Sequence, residues 1–517
     1  MLDQTEPARP ASNAARALSR VSLQVRRIIG VVLPLSLASA LVPACGSLGA
    51  GSNDSETGIH GRVAPGWERV RIAFESNFRE RNEIGAACAV FVDGRLVVDL
   101  WAGRRDAAAE RPWRRDTMAC VFSTSKAMAA AATTVALSRG LFELDEPVAR
   151  YWPEFAQQDK GNITVRQLLA HQAGLSAIDT KITPERISDR EQWARVLARQ
   201  RPRWTPGTRH GYHGLTLGFY QSELIRRTDP QGRSIGQFFA EELADPVEAE
   251  FYFGLPDSVD DARIAEMTPF GVIDMLTRPD LVEPRMLLGM VVPGSLVRRS
   301  LMNIDMSGPG DIADRRWTRT EFPSATGVGT ARGIARIMGA LATRDAALPL
   351  SDAVRAELYA PPSAPSGGEE DLVLQAPTAY ALGFTKPCAT FDPGFSESSF
   401  MAFGAGGSMA IGDPELALGF AYVMNKMSMH LGDDPRAMAL AEAVRACADA
   451  AARHGGQTTT RTVRPRRRAS ELGSEVRRRP AGALQPPRRR PRRAWPGAAP
   501  GRRAPWPGSR RTGPGSP

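Results

Sequence analysis

One serine in the chain stands three residues before a lysine, in Val121-Phe122-Ser123-Thr124-Ser125-Lys126-Ala127-Met128, and the segment runs into an alanine-rich stretch that reads as a helix. At that spacing the two side chains share one helical face. The amine can then reach the hydroxyl and take or orient its proton, provided that burial or neighbours lower the lysine's pKa. The chemistry implied is that of an activated serine nucleophile. The tetrapeptide is weak on its own, since a solvent-facing Ser/Lys pair has the same spelling. His171, His210 and His213 invite a Ser–His–Asp triad, but the chain has no G-x-S-x-G nucleophile elbow. His171 lies in Leu168-Leu169-Ala170-His171-Gln172-Ala173-Gly174-Leu175 and reads as a structural hydrogen-bonder. The five cysteines (Cys45, Cys88, Cys120, Cys388, Cys447) form neither a C-x-x-C pair nor a Cys/His cluster, so no metal and no other cofactor is expected. Cys88, Cys120 and Cys447 sit in apolar surroundings and read as buried free thiols.

The elements that must position such a pair come from both ends of the chain. Trp67, Val70, Ile72, Phe74 and Phe78 approximate an amphipathic helix. Ala86–Val92 and Leu96–Trp101 flank Asp93-Gly94-Arg95 and predict a hairpin. Near the other end, Gly407–Ile411 and Leu416–Met424 flank Gly412-Asp413-Pro414-Glu415, a second hairpin, and Pro435–Ala451 is a helical run. Helix–hairpin followed much later by hairpin–helix predicts an α/β fold of the α+β type. Its antiparallel sheet is built from both chain ends with flanking helices, and a mainly helical lobe is inserted at about 120–350.

With 517 residues, 42% hydrophobic and 24% charged, the chain can bury a large core, which excludes collagen-like, wholly disordered and multispanning membrane classes. The formal charge of +10 is unevenly distributed. Residues 453–517 carry 18 Arg against two acids, residues 1–45 carry a net of +3, and 46–452 a net of −9. An acidic body repels phosphate backbones, so no nucleic-acid partner is expected. The 453–517 tail of Arg, Pro, Gly and Ala predicts disorder. Basic residues followed by an apolar run, Ile28–Ala44, and small residues at Cys45-Gly46-Ser47 follow signal-peptide grammar. Val42-Pro43-Ala44-Cys45 also resembles a bacterial lipobox, making Cys45 a lipidation candidate. The expected layout is a signal or lipoprotein signal over 1–45, a linker over 46–64, a folded domain over 65–452 and the tail. The expected location is extracytoplasmic, secreted or membrane-anchored through lipid.

Further motifs follow Ser123-x-x-Lys126 in order: Gly140-Leu141, Leu144-Asp145-Glu146-Pro147, Tyr151-Trp152-Pro153, Ile163 to Leu175, Pro206-Gly207, Tyr212-His213-Gly214, Gly327, Thr330-Ala331-Arg332, and Gly404-Ala405-Gly406-Gly407-Ser408. Over about 65–452 the chain resembles the serine β-lactamase and penicillin-binding-protein superfamily, most of all the class C β-lactamases and family VIII carboxylesterases. The resemblance implies a β-lactamase/transpeptidase-like fold in which Ser123 is the acylated nucleophile, Lys126 its partner and Tyr212 a third proton-transfer group. A tyrosine of ordinary pKa is a poor base, so Lys126 is expected to act as the cation that favours its phenolate.

The family's third motif, Lys/His-x-Gly on an edge strand, aligns with Gly404 as its glycine and places Ala402 where the cation should be. The backbone N–H groups of Ser123 and Ala405 then form the oxyanion hole. An alternative register, with Gly406 as the glycine, would use the Gly407 N–H instead. His213, Phe403 and Gly404 are expected to line the substrate pocket, with Phe400 and Met401 adding apolar surface. Without the cation, a neutral ester of short to medium acyl chain is the expected substrate, making the implied activity that of a carboxylesterase. β-Lactam hydrolysis, D-amino-acid peptidase work, and a catalytically silent binding protein of the same fold remain alternatives.

Overall fold

The computed structural model describes residues 58–108, 110–270, 284–306 and 311–458. The signal segment with Cys45 and the Arg/Pro tail lie outside the described residues.

An eight-stranded sheet forms the frame: β1 (His60–Val63), β2 (Gly85–Val92), β3 (Arg95–Gly103), β7 (Tyr380–Ala381), β8 (Phe384–Thr385), β9 (Phe400–Phe403), β10 (Met409–Asp413) and β11 (Leu418–Met424), in the order β1-β3-β2-β11-β10-β9-β8-β7. Every named pairing in it is antiparallel, and β2 meets β11 with Val92 opposite Leu418 and Ala86 opposite Met424. The two chain ends therefore meet in the middle of the sheet.

Local sequence accounts for much of this. Asp93 and Gly94 both take positive φ (49° and 71°), the two-residue primed turn that Asp-Gly favours, with Arg95 already in β3. The second hairpin turns two residues later than its sequence suggests. Gly412 and Asp413 remain in β10, and the buried Asp413 carboxylate caps the turn by accepting from the backbone N–H groups of Glu415 and Leu416 and from Ser396. The predicted linker is also shorter, because His60–Val63 pairs with β3 and His60 stacks on Trp101.

Side chains of β2 and β11 alternate between two cores. Cys88, Val90, Phe420 and Tyr422 face helices α1 (Glu68–Glu80) and α7 (Pro435–Thr458), whose Val70, Phe74, Leu440 and Val444 complete that layer. Ile72, predicted for the apolar face of α1, is 57% exposed, and α7 runs past the expected domain end to Thr458. On the other face, Ala89, Phe91, Ala421 and Val423 meet α2 (Ser125–Ser138) and α6 (Ala331–Ala342). Gly419 admits α6 here, because a Cβ on it would run into the α6 backbone at Ala335 and Gly339. Thus α6 belongs to the sheet layer, whereas sequence had assigned it to the lobe.

The inserted segment is mainly helical and includes α3 (Leu217–Thr228), α4 (Pro284–Val291) and α5 (Leu296–Leu301). It is tied to the frame by a small antiparallel sheet of β4 (Ala119–Cys120), β6 (Val328–Gly329) and β5 (Phe251–Tyr252).

Candidate active site

Helix α2 runs through the centre of the molecule. From Ser125 to Ala136 every residue is buried, and six of those twelve are alanines, whose small side chains let surrounding elements approach from all sides. Its N-terminus lies where sheet and lobe meet. Immediately before it, Phe122–Thr124 forms a 3₁₀ turn, and Phe122 holds φ at +47°, a left-handed conformation that costs a bulky residue roughly 1–2 kcal/mol. That turn leaves Ser123 partly exposed to the cavity, while Ser125 is fully buried with its Oγ accepting from the Gly327 N–H at 2.9 Å. The geometry thus separates the two serines of the motif.

Lys126 is 3% exposed, and its Nζ lies 3.1 Å from Ser123 Oγ while donating to the Ser324 carbonyl at 2.8 Å. Burial without a counter-ion lowers its pKa from 10.5 to about 7. Its Nζ also sits 4.8 Å from the centroid of the Tyr212 ring. Burial, reinforced by the Asp371 charge, pushes the Tyr212 phenol well above its ordinary value. This corrects the expected division of labour. Lys126 is about half neutral at pH 7, so a free amine is available there as a base, while the Tyr212 phenol, pushed up by burial, stays protonated.

Tyr212 is held from behind. Its backbone N–H donates to the Asp371 carboxylate at 3.0 Å, and that fully buried carboxylate also accepts from Thr378 and from Tyr380 Oη, each at 3.1 Å. Tyr380 stacks on Tyr212 with ring centroids 6.1 Å apart and packs at a tilt against His171 at 4.2 Å. His171 Nδ1 accepts from the His213 N–H at 2.8 Å, which makes it the structural hydrogen-bonder that its sequence suggests, although it also borders the cavity. His213 does not line the pocket. It is fully buried, its Nδ1 is 2.7 Å from the Gly211 carbonyl and its Nε2 accepts from the Leu175 N–H at 3.0 Å, because the extended loop turns residues 212 and 213 to opposite sides. His210 is occupied by Thr378 at 2.9 Å.

Beside the nucleophile turn, β9 ends at Phe403 and the chain folds back through Gly404–Ser408. Gly404 is required: a Cβ there would run into Ser408 Oγ and the Val121 carbonyl. The same Ser408 hydroxyl bonds Thr124 Oγ1 and the Val121 carbonyl, each at 2.9 Å, so this turn and the nucleophile turn are clamped together. The Gly407 N–H is used within the turn, donating to the Gly404 carbonyl at 3.0 Å, which removes the alternative register. Ala405 is exposed, and no acceptor among the described residues takes its N–H or that of Ser123. Arg436 supports the turn by donating to the Gly406 carbonyl at 2.8 Å, itself anchored on buried Glu83 and Asp434.

The cavity above these groups has a volume of about 540 Å³. Ala402, Phe403 and Gly404 border it, with Met286, Met290, Leu301 and Met427 among its apolar walls. Phe400 and Met401 do not: Phe400 packs against Phe384, and Met401 faces the α1/α7 core, as strand alternation dictates. Lys126 is the only lysine or arginine among the described lining residues. Cys88, Cys120 and Cys447 are buried in core layers, and burial raises the Cys120 thiol to about 12.

Ser324, Asp371 and Tyr380 were invisible to sequence reasoning, since each acts from about 160 to 200 residues away and only Ser324's carbonyl, which every residue has, touches Lys126. A sequence profile described as Beta-lactamase matches residues 74–445. The chain is 31% identical over 396 residues to the esterase/beta-lactamase LipL of Mycobacterium tuberculosis, spanning 72% of this chain and 84% of that protein. Among solved structures, a family VIII carboxylesterase is similar at 35% identity with a TM-score of 0.67, covering 75% of this chain and 99% of the other. A penicillin-binding protein homolog from Caulobacter crescentus is similar at 33% identity with a TM-score of 0.64, over 75% and 99% of the two chains.

Proposed function

Because the chain belongs to the Beta-lactamase family and is a serine hydrolase of that fold, we propose that it is a carboxylesterase working through an acyl-enzyme on Ser123. The observation that carries the proposal is the buried Lys126 amine, without a counter-ion, 3.1 Å from Ser123 Oγ. A neutral amine there accepts the serine proton as Oγ attacks the ester carbonyl. The N–H groups of Ser123 and Ala405 stabilise the developing oxyanion, aided by the N-terminus of α2. Tyr212, kept protonated, donates to the departing alkoxide and recovers a proton from the Lys126 ammonium. Water then enters and attacks the acyl carbonyl as Lys126 takes its proton; the bond to Ser123 Oγ breaks, that proton passes to Oγ, and the acid product leaves the serine and the neutral amine restored.

What supports an ester over a β-lactam or a peptide carboxylate is the character of the cavity. Ala402 stands in place of a cation, and the described walls add no arginine or further lysine. A substrate carboxylate desolvated there would cost several kcal/mol without compensation, on the order of the penalty for a poorly paired buried charge, whereas a neutral ester avoids it. kcat/KM for p-nitrophenyl butyrate is expected to exceed that for a chromogenic cephalosporin by at least about 10²-fold, or roughly 2.7 kcal/mol. Equal efficiencies would overturn the ester reading. A Ser123 that fluorophosphonate leaves unlabelled would favour a silent binding protein.

A further inference from the structure

Six large apolar side chains are conspicuously exposed among the described residues; two of them, Met302 and Leu431, border the Ser123 cavity, and three more, Leu288 and Val291 of α4 and Val292 just after it, belong to a segment whose other side lines that cavity. Ile72 of α1, on the far layer of the sheet, is the sixth. The pattern arises from α4, which is apolar on two sides. Met286, Leu287 and Met290 face the cavity, and Met286 is 1% exposed; Leu288, Val291 and Val292, spaced i, i+3 and i+4, point outward at 56%, 70% and 42%. An ordinary surface helix presents charge on its outer side. Here the only charges from Pro284 to Asn303 are Arg285, Arg298 and Arg299, in a body that is otherwise acidic.

We infer that this rim seats the protein on a lipid bilayer, from which a neutral ester passes directly into the cavity. The inference rests on the esterase reading for its purpose, though its test does not. A patch of this kind marks an interaction surface, and its position selects the occupant. A second copy of the chain docked on it would cover the entrance to Ser123, whereas a bilayer both buries the outer stripe of α4 and supplies the substrate. Met302 and Leu431 belong both to the exposed surface and to the cavity wall, so an aliphatic chain has an apolar path between the two. Arg285, 73% exposed beside Glu370, and Arg298 flank the apolar stripe where phosphate headgroups would lie, whereas Arg299 is committed to Asp179.

The test uses the full chain and its Leu288→Lys/Val291→Lys variant, both positions lying outside the cavity lining. The first readout is flotation with phosphatidylcholine vesicles, which carry no net charge and so avoid capture of the Arg-rich tail. The second is hydrolysis of soluble p-nitrophenyl butyrate against p-nitrophenyl palmitate held in the same vesicles. The variant is expected to lose at least about tenfold in vesicle binding, because two buried apolar contacts become charged. Its hydrolysis of vesicle-held ester should fall in proportion, with the soluble ester turned over as before. Equal flotation of both proteins, or none by either, would overturn the inference, as would a dimer that the substitutions dissociate. Loss of soluble-ester turnover in the parent protein would instead strike the esterase reading, leaving flotation to judge the surface.

Discussion

Protonation of Lys126 should control the reaction below neutrality. Burial brings the amine from an ordinary 10.5 to about 7. At pH 7 roughly half of it is then free base, against about one part in 3,000 for an unshifted lysine. Acid removes the base, so activity is lost as pH falls: at pH 5 about one molecule in a hundred keeps a neutral amine, and kcat/KM should drop tenfold per unit below about 6.5. Above about pH 8 the profile should be flat, because Tyr212 is held well above its ordinary value and stays protonated. Neither His171 nor His213, the histidines packed nearest Tyr212, can mimic this limb. Burial holds His171 well below 6.5 and takes His213 to about 4. Initial rates on p-nitrophenyl acetate from pH 5 to 9, corrected for spontaneous hydrolysis, measure the profile. Lys126→Ala should lower kcat by about 10²–10⁴ and abolish the limb. A limb that survives in Lys126→Ala, or a midpoint near 4 or 10 in the parent protein, would refute the argument.

Ser123→Ala should abolish turnover and fluorophosphonate labelling with the melting temperature unchanged; label recovered on Ser125 would sink the assignment. Tyr212→Phe should cost about 10²–10⁴ in kcat with little change in KM, since the ring and its stacking remain; full activity would route the proton elsewhere. Gly404→Ala should impair acylation and lower the melting temperature, because its methyl would pry β9 from the clamp at Ser408 and Val121; wild-type burst kinetics would show that the clamp does not set the oxyanion hole. If Cys45 carries lipid, Cys45→Ser should weaken membrane retention to what the apolar rim alone supports, as read by fractionation; unchanged fractionation would leave Cys45 without lipid.

Sequence disclosed what local pattern controls. Asp93-Gly94 specifies its turn, the S-x-x-K spacing puts Ser123 and Lys126 on one face, and the Gly404 segment marks the end of β9. Less legible was whatever depends on the direction in which a side chain leaves an irregular loop. His213 adjoins Tyr212 in sequence yet faces the core, and Phe400 and Met401 flank Ala402 yet face neighbouring layers. The roles within the proton-transfer group were misjudged for a related reason: composition shows which groups titrate, while burial decides which one is neutral. β1 escaped notice because His60–Val63 is short and largely exposed, lacking the apolar alternation that reveals a strand.

The junction of β2 with β11 has a kinetic side. It joins positions about 330 residues apart, and such contacts give a fold a high contact order and slow assembly, because a long loop must close before the pairing rewards it. During synthesis the β2–β3 hairpin emerges early with its inner edge unpaired, and that edge belongs to an almost wholly apolar strand, Gly-Ala-Ala-Cys-Ala-Val-Phe-Val. Until Met424 has left the ribosome nothing native can cover it, so the nascent chain carries a sticky edge through nearly its whole translation. A carboxyl-terminal truncation that removes β11 would therefore do more than trim a terminus. It would leave the frame open at its middle and the chain dependent on chaperones for solubility.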